Sequence, residues 1–441
     1  MTSTTDHGDL PSTTRSWQVA AVLVAAFVVS AVAVVVFGLE YGRAVSDQNH
    51  HYLPAIRQFA AQWPSVDLSD YSTATTPAYL LFLAATDHYI SNDVVLLRLV
   101  NACTTGALLF VFGLAVGRGL SFTRGLLLAL PLVVSIYVFP SGVWILPDNA
   151  GWLSLLAVLL IGLSGRPSVG WWSAGAVAML ILVCTRQIHI WAAAVLWVSP
   201  LANRLRDPVD PQSGIRSFSE SLVWTGFAAA ATLPAFLAVG YFMWLWGGAS
   251  PPAYQGYVDG PNPAVPATIL MVAAPIGFAY ATSVWPRCRE MLRSRRVRQW
   301  LIVGAALGAV AGIVPATTYK YPERATGLWN VVRLAPVFAD RSPVVIAASA
   351  IGGATVVMWL CVLPRNARWI HATAWGSFIT AQAVTGLAWQ RYYEPFAIIL
   401  FALAASEVTR THAGRRPRPI CLLGPATLTL ALGTVTLLGL L

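Results

Sequence analysis

Five consecutive side chains, Asp47, Gln48, Asn49, His50 and His51, supply a carboxylate, two amides and two imidazoles just beyond a long apolar run. Such a carboxylate acts as a general base when an acceptor hydroxyl lies within hydrogen-bond reach, as a transferase requires. It is also a metal ligand when histidines converge on it, and Asp148 offers a second acid for such a site. Neighbouring histidines diverge on a helix, so one of the two at most would join a divalent cation. A hydrogen bond to substrate suits His51 better. The plainest alternative for Asp47 is a solvated acid or a helix N-cap.

Three further polar islands interrupt apolar sequence. Asp148 stands in PSGVWILPDNAG beside Pro147, where an ionisable group at membrane depth faces a cavity or a partner unless it caps the helix starting at 149. Arg186 and Gln187 in CTRQIHIW stand between adjacent apolar runs, and that arginine must snorkel, pair with an acid or bind an anion. Arg391, Tyr392 and Tyr393 in WQRYYEPF join a guanidinium to rings that also serve as interfacial anchors. A guanidinium matches two phosphate oxygens at once, whereas an ammonium is a point charge. Arg186, Lys320, Arg324, Arg333 and Arg391 form the pool from which a phosphate clamp is drawn.

The elements that must position these residues are membrane helices. Hydrophobic residues make up 57% of the 441 and charged ones 10%, against about 25% charged in soluble domains. Apolar runs of the length that crosses roughly 30 Å of hydrocarbon recur along the chain, and a barrel would alternate instead. The expected fold class is all-α, a polytopic integral membrane protein with thirteen transmembrane helices. The spans fall at 17–38, 93–117, 124–140, 149–163, 169–184, 187–201, 219–246, 265–285, 300–317, 343–363, 368–388, 392–407 and 420–440. Residues 1–16 read as a cytoplasmic tail and 17–441 as one transmembrane domain. The first run exceeds the apolar core of a cleaved signal and is read as retained.

Basic residues concentrate on the inner side, where RCREMLRSRRVR (287–298) alone supplies six arginines, as the positive-inside rule requires. The net charge of +10 is therefore a topology and headgroup feature and not a nucleic-acid footprint. Acidic residues gather outside, which the basic-residue rule does not explain, so the outer face is where chemistry is expected. The outer connection 39–92 carries two apolar-striped pieces. One holds Tyr52, Leu53, Ile56, Phe59, Ala60 and Trp63; the other is residues 77–83. Both suit helices lying in the interface plane. Pro54 places Asp47 just ahead of the regular helix.

The connection 247–266 reads as a patternless Gly/Pro-rich loop, and 318–342 as a basic outer loop with the chain's one lysine, Lys320. Five scattered cysteines without a CxxC pair indicate packing rather than disulfides or zinc. Arginine in place of lysine, with abundant alanine, points to GC-rich prokaryotic coding and hence to the plasma membrane.

In their order these pieces resemble the C-type glycosyltransferase (GT-C) superfamily, multi-helix membrane enzymes that use lipid-phosphate sugars on the extracytoplasmic or lumenal face. Within it the likeness is greatest to the dolichyl-phosphate-glucose-dependent α-1,2-glucosyltransferase family. That family's Asp-Glu-x-x-His after the first helix is matched by Asp47 to His51, with Gln48 in place of Glu. Its Thr-Thr-Pro is similar to Thr75-Thr76-Pro77, with Tyr79 nearby, and its Arg-x-x-Asn to Arg98 and Asn101. Its Tyr-Thr-Asp is met by Leu146-Pro147-Asp148. Its Arg-Gln-Thr-Asn resembles Arg186-Gln187-Ile188-His189, and its Arg-Tyr-Tyr resembles Arg391-Tyr392-Tyr393. The pieces are colinear over residues 40–400.

The resemblance implies interfacial helices in the first outer loop and inverting transfer of a hexose, glucose foremost, from a polyprenyl-phosphate-sugar donor. The acceptor would be a lipid-linked or cell-surface glycan on the extracytoplasmic face. Asp47 would be the catalytic base. His51, Gln48, Thr76, Asp148, Arg186, Gln187, Lys320, Arg324, Arg391 and Tyr392 would bind substrate. Partners are then the donor, the glycan or glycolipid acceptor and membrane lipid, with no nucleic acid; no cofactor is assigned beyond the divalent-cation option. Two other readings stand beside it: a glycolipid transporter or flippase, and a non-catalytic glycolipid-binding relative. A transporter predicts charges near mid-membrane and an internal repeat, whereas this sequence puts its charges at the outer rim and shows no repeat.

Overall fold

The computed structural model describes residues 12–39, 42–166, 168–205, 217–258, 260–316, 326–411 and 422–440. Among them the regular structure is helical, apart from isolated bridge residues such as Phe338, which pairs with Arg341. Helix α1 (Ser12–Val36) leads to a segment built from α2 (Arg43–Asp47), a π-helical turn (Gln48–Tyr52), α3 (Leu53–Ala61) and α4 (Ala78–Tyr89). A middle group follows: α5 (Val94–Gly117), α6 (Phe122–Val133), α7 (Val138–Val143), α8 (Asp148–Ser164), α9 (Val169–Thr185) and α10 (Ala193–Asn203). Next come α11 (Phe218–Trp246), the short α12 (Pro252–Val258), α13 (Ala264–Ala281), α14 (Trp285–Leu292) and α15 (Arg295–Ile313). The last group is α16 (Leu328–Val332), α17 (Pro343–Val362), α18 (Arg365–Ala383), α19 (Glu394–Thr411) and α20 (Leu423–Leu440).

Each predicted span carries helix, but length and apolar composition suffice for a crossing in 6 cases among the described residues: α1, α5, α11, α13 continued through α14, α15 and α17. Apolar helices such as α8 and α9, at 17 residues each, extend about 25 Å, short of a full hydrocarbon layer. Several predicted spans depart from a single α-helix, and in two of them a polar residue stands at or just before the irregular turn. In 124–140 the Ser135 hydroxyl accepts the amide protons of Tyr137 and Val138, which ends α6 and starts α7. In 187–201 the extended backbone of Arg186 stops α9, and a 3-10 turn (Gln187–Ala192) precedes α10.

The connection 39–92 contains two short helices, α3 and α4, after α2 and the π-helical turn. Their apolar stripes do not all face outward, however. Ile56 and Phe59 are fully buried, and Phe59 packs edge-on against Tyr71 at 5.1 Å. The expected interfacial stripe is here partly a protein core.

The deepest packing surrounds α13 and α19. Almost every residue of α19 is buried, and Phe396 stacks on Phe378 at 3.8 Å with Trp375 and Trp191 edge-on. Glu394, at the start of α19, accepts from the Ser135 hydroxyl and the Gln390 amide, so it enters the core with its oxygens satisfied. An immobile α19 fixes the residues just ahead of it, Arg391 and Tyr392.

Helices α15 and α17 meet backbone to backbone through small residues, and α17 meets α13 in the same way. A Cβ on Gly308 would enter the Ser349 carbonyl, and one on Gly352 the Leu270 carbonyl. Gly352→Leu should therefore push α13 from α17 and cost at least about 1–3 kcal/mol. Thermal unfolding in detergent checks this, with Gly226→Leu, which meets open space, as the neutral control.

Candidate functional site

The site begins in the helical run 43–61. The wide turn at Gln48–Tyr52, where the Leu53 amide reaches back to the Gln48 carbonyl, sits immediately before Pro54. That proline lacks an N–H and crowds the preceding turn, so a regular ladder is disfavoured there. Asp47 consequently lies inside a continuous helical run and not ahead of it. Gln48 and Tyr52 are buried, whereas Asn49 and His50 are exposed. Burial holds the Tyr52 phenol well above its usual range, so its hydroxyl remains a donor.

Two ion pairs form the centre. Arg391 Nη1 lies 2.6 Å from Asp47 Oδ2, and Arg186 Nη2 lies 2.6 Å from Asp148 Oδ1. Both guanidinium carbons stand 5.1 Å from the centre of the Tyr392 ring, and Arg391 Nη2 also donates to the Tyr392 hydroxyl. Tyr52 feels Arg391, Asp148, Arg186 and Tyr392 together. On the Trp389 ring lie Arg391 and Arg43, at 4.6 and 4.5 Å. Two carboxylates against two guanidiniums make the quartet neutral, which is what lets it be buried.

The quartet is nonetheless incompletely satisfied. Asp148 Oδ2, Arg186 Nε and Arg391 Nε are buried without a hydrogen-bond partner among the described residues. Asp148 does open α8, but its side chain makes no capping bond; Pro147 occupies the cap and the carboxylate turns to Arg186.

Several predicted binding residues act as struts around this centre. Gln48 Oε1 accepts from Arg98 Nε at 3.0 Å and from the Ile145 amide at 3.1 Å, which ties the π turn to α5 and to the approach to α8. The Thr76 hydroxyl donates to the Val183 carbonyl, and its amide donates to Gln187 Oε1. Gln187 Nε2 in turn donates to the carbonyls of Ala74 and Ala249. Asn101 accepts from the Tyr79 hydroxyl and donates to three carbonyls at 141–144. His51 shares a 2.5 Å hydrogen bond with Tyr254, while His50 bonds the Ser46 carbonyl. The two imidazoles thus diverge, and among the described residues no His, Cys, Asp and Glu set gathers as a metal site. Lys320 and Arg324 lie outside the described residues. Arg333 is exposed, and Arg341 donates to the Ile313 carbonyl at the end of α15.

Beside the quartet opens a cavity of about 500 Å³. Phe242, Met243 and Trp246 from the end of α11 make an apolar wall, and Arg186, Gln187 and Tyr392 make the polar one. Asp47 and Arg391 do not line it; Tyr392 is the side chain in contact with both the cavity and Arg391. An apolar chamber of this size with one cationic corner accommodates an amphiphile with an anionic head.

Three participants escaped the sequence reading. Tyr52 and Trp389 carry no charge to flag them. Tyr254 sits in the connection 247–266, which contains α12 and is strapped to the connection 39–92. The Tyr254 hydroxyl donates to the Ser72 carbonyl, and the Ala253 amide donates to Asp70. The one signal available was a tyrosine two positions after Pro251-Pro252. Among the acids of the connection 39–92, the Ser69 amide holds the Asp67 carboxyl below its usual range, and burial raises that of Asp87 against the pull of Arg57 and His88. Comparison of the chain with family models, with curated proteins and with solved structures finds no match.

Proposed function

We propose that the protein is an inverting hexosyltransferase that takes a sugar, glucose foremost, from a polyprenyl-phosphate donor and passes it to a hydroxyl of a lipid-linked or cell-surface glycan. The observation that carries this reading is the joining of the Asp47–Arg391 and Asp148–Arg186 pairs through Tyr392 at the wall of an apolar cavity. The polyprenyl tail would occupy the cavity, which leaves the phosphate at Arg186. Arg391 holds Asp47 by Oδ2, so Oδ1 takes the acceptor proton. The acceptor oxygen attacks the anomeric carbon from the side opposite the phosphate. The bond to the phosphate oxygen breaks with its electron pair, and the configuration inverts. Arg186, and Arg391 beside it, stabilise the charge that grows on the leaving phosphate. His51, Gln48, Thr76 and Gln187 shape the pocket around these atoms.

The reading includes a thirteen-span GT-C-like membrane domain whose site opens on the outer face of a prokaryotic plasma membrane. The direct test is reconstitution of the purified protein with a radiolabelled polyprenyl-phosphate hexose and a crude glycolipid acceptor fraction. Label should move into the acceptor fraction. Movement of intact donor across the bilayer without transfer would identify a flippase instead. Donor binding with neither would identify a non-catalytic glycolipid-binding protein.

A further inference from the structure

A second cavity, of about 290 Å³, lies where α14, α15, α17 and α18 meet. Arg368 near the start of α18 lines it, whereas Ala381 and Gln382 at the other end of the same helix line the first cavity. Fourteen helical residues separate these ends by about 20 Å, so the two chambers are distinct. The remaining walls are Ser294, Arg296, Val297 and Trp300 from the start of α15, with Met291 and Cys361.

Two cations from different helices face this space and no acid lines it. The neighbouring acid, Glu290, is held by Arg287 at 3.0 Å. Arg368 Nη2 donates to the carbonyls of Cys361 and Leu363 at the end of α17, which fixes the guanidinium, and its Nε finds no partner among the described residues. Arg296 is exposed, and the Trp300 indole is 52% exposed. Beyond Trp300, α15 presents Val303, Leu307 and Val310 outward on the same face. Charge, an aromatic ring and an apolar track therefore follow one another in the order in which a phospholipid presents phosphate, glycerol backbone and acyl chain.

We propose that this cavity binds the headgroup of an anionic glycerophospholipid, with the phosphate between Arg296 and Arg368 and an acyl chain along α15. Basic pockets at the inner ends of membrane helices attract anionic lipid through charge, and the arginine-rich run 287–298 supplies that environment. The site is independent of the transferase reading.

The full-length protein in nanodiscs of phosphatidylcholine with a minor fraction of phosphatidylglycerol provides the test. Native mass spectrometry counts the lipids that stay bound after release. The wild type should retain phosphatidylglycerol over phosphatidylcholine by on the order of tenfold. The Arg296→Gln/Arg368→Gln protein should lose that preference. Because Arg368 also caps α17, Arg296→Gln/Trp300→Ala serves as a second variant that leaves the cap in place. Arg293→Gln/Arg298→Gln, from the same run but outside the cavity, should keep the preference. Absence of selectivity in the wild type, or equal loss in the last variant, would overturn the proposal. So would displacement of the lipid by inorganic phosphate, which would mark a small-anion site.

Discussion

An Asp47→Asn protein should lose hexosyl transfer by about 10²- to 10⁴-fold, the range that positioned general bases contribute, while still binding the polyprenyl-phosphate donor. Asparagine preserves shape and can accept a hydrogen bond from Arg391, but it cannot take up the acceptor proton. Asp47 and Arg391 side chains are 15% and 16% exposed, so neutralising Asp47 costs some stability, but the Tyr392 hydroxyl and the Trp389 ring still hold the guanidinium and the protein should remain folded. Turnover at saturating donor and donor binding, measured on the same preparation, separate the two effects. Transfer within tenfold of wild type would remove Asp47 from the base role. Loss of binding together with transfer would make it a binding residue instead.

The second large effect belongs to Asp148 and Arg186, whose side chains are 6% and 7% exposed. Removing one partner of a buried pair strands the other charge and costs about 3–5 kcal/mol. Asp148→Asn and Arg186→Gln should each lower thermal stability strongly. The double variant Asp148→Asn/Arg186→Gln, which leaves no net charge, should recover much of the loss. Their non-additivity in a double-mutant cycle should exceed about 1 kcal/mol. Function should split the same pair. Arg186→Gln should weaken donor binding by about 10- to 100-fold, the worth of a charge-assisted bond. Asp148→Asn should bind donor at least as tightly as wild type, because the guanidinium is released to the phosphate. Additive stabilities would mean that the pair is not coupled, and weaker donor binding in Asp148→Asn would contradict the assignment of Arg186.

Much of this centre was visible as isolated letters. Asp47, Asp148, Arg186 and Arg391 stood out because a charge within or beside an apolar run is costly and must be answered by something. The breaks were less legible. Pro54 marked an irregularity but misplaced Asp47 ahead of the helix, and Ser135, a residue type that competes for backbone amides, did not stand out within the apolar run 124–140. What each charge answers to was not visible. Asp148 could cap α8 or pair, and only the packing of α8 against α9 turned it to a guanidinium 38 positions away. The interfacial stripe of α3 was also ambiguous, since an apolar face is equally suited to lipid and to Tyr71. Its partner is chosen by where the chain returns.

The sequence by itself determined the class and the order of the helices. An apolar run must satisfy its own amides, and a helix does so with bonds four residues apart, which makes the element legible within a short window. The tertiary structure decided the site. Asp47 meets Arg391 across 344 positions, Tyr392 bridges that pair to the cavity, and Tyr254 closes on His51 from a segment without periodicity. These contacts depend on how buried helices such as α13 and α19 stack. That stacking is a property of the whole core and leaves no periodic trace in the residues it brings together.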